Sequence, residues 1–360
     1  MGDLPRAFRR DLEDVYHFYL DDKAREELAG MGKTSRWFYM IAWLLKNSFL
    51  KLSPVRRILL VASVIFFLEG AFNQINIGAL IVGFAMLAFI LLLELKDKLL
   101  AQDELQAGRA VQFALMPKDN PKFRGWDAWV YTRPANDVGG DLVDYIPVRE
   151  NSLGVVLGDV AGKGLPAALY MAKLQATLRA IAPNYDSLSD LGCELNRIFC
   201  RDGLPDRFVS MLYLEIEAEG SGVRILNAGH FPPVILRKEG IRELAKGAPA
   251  LGLTPLATYK EQRTTLEVGD VLLVYSDGLT EARNEQGVFF ERTRLAALLK
   301  NARDYSAEEV GERLLAAVDA FIGDARPSDD LSLIVLKRTA VNTSLEPRTH
   351  RKTSVLQDQE

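Results

Sequence analysis

The chain is poor in the two side chains that most often bind transition metals. It has 2 cysteines and 3 histidines in 360 residues. Cys193 and Cys200 are too few for a disulfide framework or a cysteine zinc site, and we expect both to be reduced. Only His230 lies in the region that carries the candidate catalytic motifs, so a histidine-rich metal site is excluded.

The chain also lacks a strong excess of charge of either sign. Its formal net charge is −4, which implies no general affinity for nucleic acid. Its length of 360 residues is enough for a membrane anchor and one further domain of roughly 200 to 250 residues.

Residues 1–50 are predicted to form an N-terminal cytoplasmic or interfacial helical segment. A charged helical stretch around Asp11 to Leu28 is followed by the aromatic run Trp37 to Leu45, which has basic residues after it. This composition suits a helix at the membrane interface, and a soluble helix packed on the domain is the alternative. No cleavable signal peptide is predicted, because the apolar stretch starts too late and no small-residue cleavage site follows.

Long apolar runs in residues 51–97 predict a two-helix transmembrane hairpin. Ile77 to Leu95 would extend about 28 Å as a helix, close to the roughly 30 Å hydrocarbon core, and the first run crosses only if it spans Val55 to Ile75. Basic residues flank both outer ends, so the positive-inside rule predicts a multi-pass protein of the inner (cell) membrane with a cytoplasmic catalytic domain. The alternative is a soluble helical hairpin buried in an oligomer.

Residues 98–117 are predicted to form a linker helix. The charged sequence from Glu94 to Ala114 continues the second apolar run, and Leu115-Met116-Pro117 ends it. Leucines at 92, 95 and 99 have coiled-coil spacing. A homodimer through this helix is one interpretation, and a plain linker is the other.

Residues 118–338 alternate strand and helix patterns with several hairpins, which predicts an α+β domain of antiparallel sheets with segregated helices. The predicted helices are Pro166–Ile181, Leu188–Phe199 and Ser306–Phe321. The predicted strands are Trp126–Arg133, Leu153–Leu157, Val209–Glu217, Val223–Asn227, Pro233–Arg237, Ile241–Leu244, Val271–Ser276 and Leu331–Lys337. The polar residues 339–360 lack periodicity and predict a disordered tail.

Four aspartates lie at the ends of these strands: Asp141, Asp159, Asp277 and Asp329. Two carboxylates about 4 Å apart repel by roughly 4 kcal/mol at an effective dielectric near 20, so a cluster of four needs cations. Oxygen ligands favour Mg²⁺, Mn²⁺ or Ca²⁺ over Zn²⁺. Each aspartate alone is also typical of an ordinary turn, so the set carries the prediction.

Two short motifs suggest other functions. Gly158 to Gly164 invites a phosphate-loop interpretation, but Leu157 stands where that motif requires glycine and Gly164 where it requires Ser or Thr. Gly139-Gly140-Asp141 resembles the start of the cyclic-dinucleotide cyclase signature, although Leu142-Val143 departs from it. A nucleotide cyclase-like two-metal signalling enzyme is therefore one alternative, and a catalytically silent binding scaffold is another.

Six motifs in order extend over roughly two thirds of the chain, from Leu105 to Arg338: VGGDLVDY, LGDVAGKGLPAALYMA, NAGHFPPVIL, GAPALGL, LLVYSDGLTEARN and DDLSLIVL. Together they resemble the PPM-type (type 2C-like) metal-dependent serine/threonine protein phosphatases, and more closely the bacterial SpoIIE-like branch. The resemblance implies an α–β–β–α sandwich of two antiparallel sheets flanked by helices. It also implies two Mn²⁺ or Mg²⁺ ions at one edge of the sheets.

Carried over motif by motif, the resemblance gives each acidic residue a role. Asp159 bridges both metals, and the Val160 carbonyl binds one of them. Asp141 and Asp277 complete the ligand shells, partly through water. Asp329 ligates the second metal, and Asp330 is the alternative at that position.

The same resemblance implies a mechanism in which a water held between the metals attacks phosphorus in line. Asp144 is a weaker candidate for an outer contact, and Lys163 for orienting phosphate. His230 is a candidate general acid, although its motif is more typical of a turn with a packed histidine.

The implied substrate is phosphoserine or phosphothreonine on a regulatory protein, such as an anti-sigma-factor antagonist in a partner-switching pathway. In this branch, the helix before the domain and the helices after GDVAGKG act as a switch. We therefore hypothesise that Glu94–Ala114 transmits a rearrangement of the membrane helices to Pro166–Ile181 and so sets metal occupancy.

Overall fold

The computed structural model describes residues 20, 27–28, 30–72, 76–204, 206–300 and 302–340. Most of the predicted N-terminal charged helix, the link at residues 73–75 and the tail beyond residue 340 lie outside them. The chain divides into two compact units, Met1–Asp103 and Glu104–Glu360. The domain boundaries inferred from the sequence stay predictions.

The first unit is helical where it is described. Helix α1 spans Lys33–Lys51 and α2 spans Pro54–Phe72. Helix α3, Ile77–Leu115, begins in this unit and ends in the second.

Small side chains let α2 and α3 approach each other closely. The Ser63 hydroxyl donates to the Gly83 carbonyl at 2.7 Å, and a Cβ on Gly83 would lie 3.0 Å from the Ser63 carbonyl oxygen. Near the start of α2, Arg56 pairs with Glu94 at 2.7 Å and with Asp97 at 2.5 Å. Close contacts at small residues, like the one between Ser63 and Gly83, are typical of helix pairs in membranes.

One helix in the described residues, Ile77–Leu115, is long and apolar enough to cross a membrane by length and composition. Helix α2 carries three charged residues in its 19, Arg56, Arg57 and Glu69. The transmembrane hairpin and its orientation therefore stay predictions.

Among the described residues of the second unit, ten strands form two five-stranded sheets, and every pairing between these strands is antiparallel. Sheet A has the order β1-β10-β9-β6-β7, with β1 Trp126–Arg133, β6 Val234–Arg237, β7 Gly240–Glu243, β9 Val271–Tyr275 and β10 Leu331–Arg338. Sheet B has the order β2-β3-β4-β5-β8, with β2 Leu142–Arg149, β3 Ser152–Val160, β4 Val209–Glu217, β5 Gly222–Ala228 and β8 Gln262–Thr265.

Helices cover the outer face of each sheet. Sheet B carries α4, Leu165–Ile181, and α5, Leu188–Arg201. Sheet A carries α6, Asp277–Thr280, α7, Glu291–Leu299, and α8, Ala307–Ile322. Short 3₁₀ helices follow α4 at Ala182–Asn184 and precede α8 at Ala302–Asp304.

Apolar side chains form three clusters, one between the sheets and one between each sheet and its helices. Strand β3 contributes to two of them. Val156 packs under α4 and α5, whereas Val155 and Leu157 point to the space between the sheets. A strand that is buried on both faces has a nearly continuous apolar sequence, because neither face is in contact with water. The observed architecture is the α–β–β–α sandwich that the sequence predicts.

Local sequence also fixes the start of α8. The Ser306 hydroxyl accepts from the Glu309 amide at 3.2 Å, and the Glu309 carboxylate accepts from the Ser306 amide at 2.7 Å. This reciprocal capping box satisfies two amides that the first helical turn leaves without partners.

Candidate active site

The four aspartates lie at the ends of strands from both sheets. Asp141 directly precedes β2, and Asp159 is the penultimate residue of β3. Asp277 opens α6 two residues after β9, and Asp329 lies two residues before β10. Since β2 and β3 belong to sheet B, and β9 and β10 to sheet A, the candidate site draws on strand ends from both sheets.

The charges of these side chains act on one another. Burial raises the pKa of Asp159 to about 7, and the charges of Asp277, Asp329 and Asp330 add to the rise. Burial likewise raises the pKa of Asp277 to about 6, with Asp329 as the next cause. Such shifts arise when like charges share a partly desolvated space.

Asp141 is the most deeply buried of the four, at 3% exposed. Burial raises its pKa well above the usual range, and the charges of Asp159 and Asp330 act in the same direction. The nearby Ser332 and Ser276 hydroxyls act in the opposite direction and lower the pKa. Its Oδ2 has no hydrogen-bond partner in the described residues. A buried carboxylate oxygen in this state favours a bound cation or a proton.

The neighbours Asp329 and Asp330 differ in what their oxygens contact. Asp330 is buried, and its Oδ1 accepts from the Ala135 amide at 2.8 Å. Its Oδ2 accepts from the Gly140 amide at 2.6 Å and from the Asp141 amide at 3.3 Å. Asp330 thus holds the loop that carries Asp141.

Asp329 is half exposed and has a different set of partners. Its Oδ1 accepts from the Asp330 amide at 3.0 Å, and its Oδ2 pairs with Lys163 Nζ at 2.9 Å. This geometry favours Asp329 over Asp330 as a ligand, and the assignment stays a proposal.

The segment after Asp159 turns sharply on glycines. Gly162 has φ +106° and Gly164 has φ +76°, values that side chains with a Cβ rarely adopt. The Arg207 guanidinium lies against Gly162 and donates from Nη1 to the Ala161 carbonyl at 2.5 Å. A Cβ on Gly140 would lie 3.2 Å from the Val160 carbonyl oxygen, so the two glycine-rich loops adjoin.

Two other candidates from the sequence have structural partners. His230 is buried, with Nδ1 3.1 Å from Ser210 Oγ and Nε2 3.2 Å from the Tyr275 carbonyl oxygen. Burial lowers its pKa to about 4, so it is neutral near pH 7 and packs in the turn. Asp144 accepts two hydrogen bonds of 2.7 Å from Arg179, which fastens α4 to β2.

Gln112 hydrogen-bonds to the loop that precedes Asp141, and the sequence did not predict this contact. It is buried near the end of α3, its Nε2 donates to the Gly139 carbonyl at 2.7 Å, and its Oε1 accepts from the Gly139 amide at 3.1 Å. Gln175 of α4 donates to the Leu115 carbonyl at 2.7 Å. The end of α3 therefore contacts both the loop before Asp141 and helix α4.

The donors suit hard divalent cations. Within the described part of the chain, no group of three or more histidine, cysteine, aspartate or glutamate side chains is already arranged to hold a metal ion. The four aspartates nevertheless supply oxygen donors and excess negative charge, and Asp141 Oδ2 is buried without a partner. Carboxylate and carbonyl oxygens are the ligands that Mg²⁺ and Mn²⁺ take in proteins, so these residues fit such ions.

Comparison with curated proteins finds relatives over about two thirds of this chain. IcfG of Synechocystis is 27% identical over 266 residues, which are 65% of this chain and 41% of IcfG. Phosphoserine phosphatase RsbU of Bacillus subtilis is 28% identical over 239 residues, which are 66% of this chain and 70% of RsbU. The chain thus spans about two fifths of the length of IcfG.

Among solved structures, the SiaA-PP2C domain of Pseudomonas aeruginosa superposes with a TM-score of 0.58 at 19% identity. The match covers 67% of this chain and 98% of that domain, and it shows a shared fold. The model of the family Stage II sporulation protein E (SpoIIE) matches residues 149–339, more than half of the chain. The matched region contains Asp159, Asp277 and Asp329. The chain therefore belongs to the SpoIIE family of PPM-type phosphatases.

Proposed function

We propose that this chain is a metal-dependent protein phosphatase that hydrolyses phosphoserine or phosphothreonine on a regulatory protein. The observation that carries the proposal is the cluster of four aspartates drawn from both sheets, in which Asp159 has its pKa raised to about 7. Family membership and the similarity to a phosphoserine phosphatase support the reaction class.

Two divalent cations, Mn²⁺ or Mg²⁺, would be held by Asp141, Asp159, Asp277, Asp329 and the Val160 carbonyl. When bound, such ions supply positive charge and Lewis acidity for phosphoryl transfer to water. The chain's own residues fix where this charge acts. Asp330 anchors the loop that carries Asp141, and the Ser276 hydroxyl, which donates to the Asp330 carbonyl at 3.0 Å, anchors the start of β10.

The nucleophile in this proposal is water, since the Ser276 and Ser332 hydroxyls are buried and hydrogen-bonded and neither cysteine lies in a segment that carries one of the aspartates. Ser276 and Ser332 are fully buried, and Ser332 Oγ lies 2.8 Å from Thr132 Oγ1. Cys193 and Cys200 lie on α5, which carries none of the four aspartates. A covalent phosphoenzyme is therefore not part of the mechanism.

The cellular setting belongs to the same proposal. The substrate would be a phosphorylated regulator such as an anti-sigma-factor antagonist, since RsbU is a phosphoserine phosphatase of similar sequence. Helices α2 and α3 would tether the catalytic domain to the cytoplasmic side of the inner membrane, supported by the apolar character of Ile77–Leu115. Dimerisation through residues 98–117 is proposed from leucine spacing alone.

The test is phosphate release from a phosphothreonine peptide by the 360-residue chain in detergent, with Mn²⁺ or with EDTA. Asp159→Asn and Asp277→Asn should each lower the rate by about a hundredfold or more, because each replaces an anionic carboxylate with a neutral amide that binds a hard cation more weakly. Asp304→Asn, on a 3₁₀ helix outside the cluster, is the matched control and should keep the wild-type rate.

Release that persists in EDTA and in both variants would contradict the proposal. A cyclic product formed from ATP or GTP would instead support the nucleotide cyclase alternative. Mn²⁺ binding without hydrolysis of any phosphopeptide or aryl phosphate would support the scaffold.

A further inference from the structure

Lys163 lies in the turn that follows Asp159 and reaches the aspartate cluster. Its Nζ is 2.9 Å from Asp329 Oδ2 and donates to the Ser328 carbonyl at 2.7 Å. Its charge also opposes the rise in pKa of Asp159 and Asp277, so its ammonium group acts on three of the four aspartates.

The oxygen that Lys163 contacts is the one that Asp329 has available for a cation. Asp329 Oδ1 already accepts from the Asp330 amide at 3.0 Å. Asp330 is no substitute, because both of its oxygens accept backbone amides of residues 135–141. An ammonium 2.9 Å from Oδ2 repels a divalent cation that approaches the same atom.

Lys163 can also leave this position at small cost. Its side chain is 57% exposed and that of Asp329 is 40% exposed, and ion pairs so open to water contribute little to stability. The residue lies between Gly162 and Gly164, both with positive φ, and no heavy atom lies within 4 Å of a Cβ built on Gly164. The ammonium can therefore move into solvent without repacking the core.

We propose that Lys163 is a tethered cation that competes with a divalent cation for Asp329 Oδ2 and so sets the affinity for the second metal, the one that Asp329 would ligate. The inference rests on the metal-dependent function proposed above. Without metal, the lysine neutralises part of the cluster. With metal, it is displaced from Asp329. A lysine that only orients phosphate would leave metal affinity unchanged.

The experiment measures Mn²⁺ binding without substrate, by titrating the 360-residue chain in detergent and following the EPR signal of free Mn²⁺. Lys163→Met should bind the more weakly held of the two Mn²⁺ ions about fivefold more tightly than wild type. A change of this size is expected when a half-exposed ion pair is lost. Lys163→Arg keeps the charge and should stay close to wild type. Lys260→Met removes one exposed charge before β8 and should also leave the affinity unchanged. Unchanged or weaker binding by folded Lys163→Met overturns the inference.

A double-mutant cycle with Asp329→Asn locates the competition. In the Asp329→Asn background, Lys163→Met should give a clearly smaller gain, because the contested carboxylate is absent. An equal gain in both backgrounds would overturn competition at Asp329. Melting in EDTA adds a second readout. Lys163→Met should be less stable without metal and should gain more from Mn²⁺ than wild type.

The same titration separates this inference from the proposed function. If the wild-type chain binds no Mn²⁺, or if Asp159→Asn binds Mn²⁺ as well as wild type does, the proposed function fails. If wild type binds Mn²⁺ at Asp159 and Lys163→Met binds no more tightly, only the role of Lys163 fails.

Discussion

At the scale of single residues, neighbours of the same type have different roles. Both carboxylate oxygens of Asp330 accept hydrogen bonds from backbone amides, whereas Asp329 is half exposed and pairs with Lys163. The sequence motif DDLSLIVL could not separate them, because both are aspartates at the same strand end. The separation depends on residues 135–141, which reach Asp330 only in the folded chain.

His230 yields a prediction for pH dependence. Its pKa falls from 6.5 to about 4 on folding, so between these values the unfolded chain binds a proton that the folded chain does not. The stability that follows is complete above about pH 6.5 and is lost as pH falls towards 4, by about 1 kcal/mol per pH unit at most.

Urea unfolding at several pH values would measure this slope. His230→Gln, which retains a donor and an acceptor, should show a shallower loss of stability over the same range. A slope equal to that of the wild type would show that another group causes it.

At the scale of elements, the end of α3 holds the loop that carries Asp141. Gln112 makes two hydrogen bonds to the Gly139 backbone, and Gln175 ties the same helix end to α4. A displacement of this helix end would therefore change the position of Asp141 relative to Asp159.

Gln112→Leu tests that coupling. The substitution roughly keeps the volume of the side chain but removes the groups that hydrogen-bond to the Gly139 amide and carbonyl. We expect weaker Mn²⁺ binding, by about tenfold, with little change in far-UV circular dichroism. Gln106→Leu, which lies nearer the middle of α3, is the matched control. If the two variants bind Mn²⁺ equally well, Gln112 does not position the loop.

The elements also show how far local sequence predicts this fold. Strands β1 and β4 have the bounds expected from their alternating apolar residues. Strand β2 was not predicted, because Asp144 and Pro147 break its apolar pattern. It tolerates a proline because it is an edge strand with an irregular register at Pro147. Contacts such as Gln112 to Gly139 join distant positions, and no local pattern encodes them.

At the scale of the whole molecule, the two sheets hold negative charge that the fold alone does not neutralise. Asp159 and Asp277 have pKa values raised to about 7 and about 6. For a carboxyl whose pKa rises on folding, the folded state is favoured while it is protonated. Without metal, this contribution is complete below about pH 4 and is lost as pH rises towards 7.

Divalent cations should reverse that loss. We expect the rise in melting temperature caused by Mn²⁺ to be small near pH 4.5 and to increase up to about pH 7.5, because protons compete with the cation for the same oxygens. Calorimetry with and without Mn²⁺ checks this. Asp159→Asn should show a smaller increase, and an increase as large as in wild type would place the cation elsewhere.

The order of the aspartates along the chain has a consequence for protein synthesis. Asp141 comes before β2, whereas Asp329 comes just before β10, which lies between β1 and β9 in sheet A. A ribosome must therefore release nearly all of this domain before the last carboxylate and a central strand arrive. Chains that stop early lack both, so incomplete translation products would lack the complete candidate site.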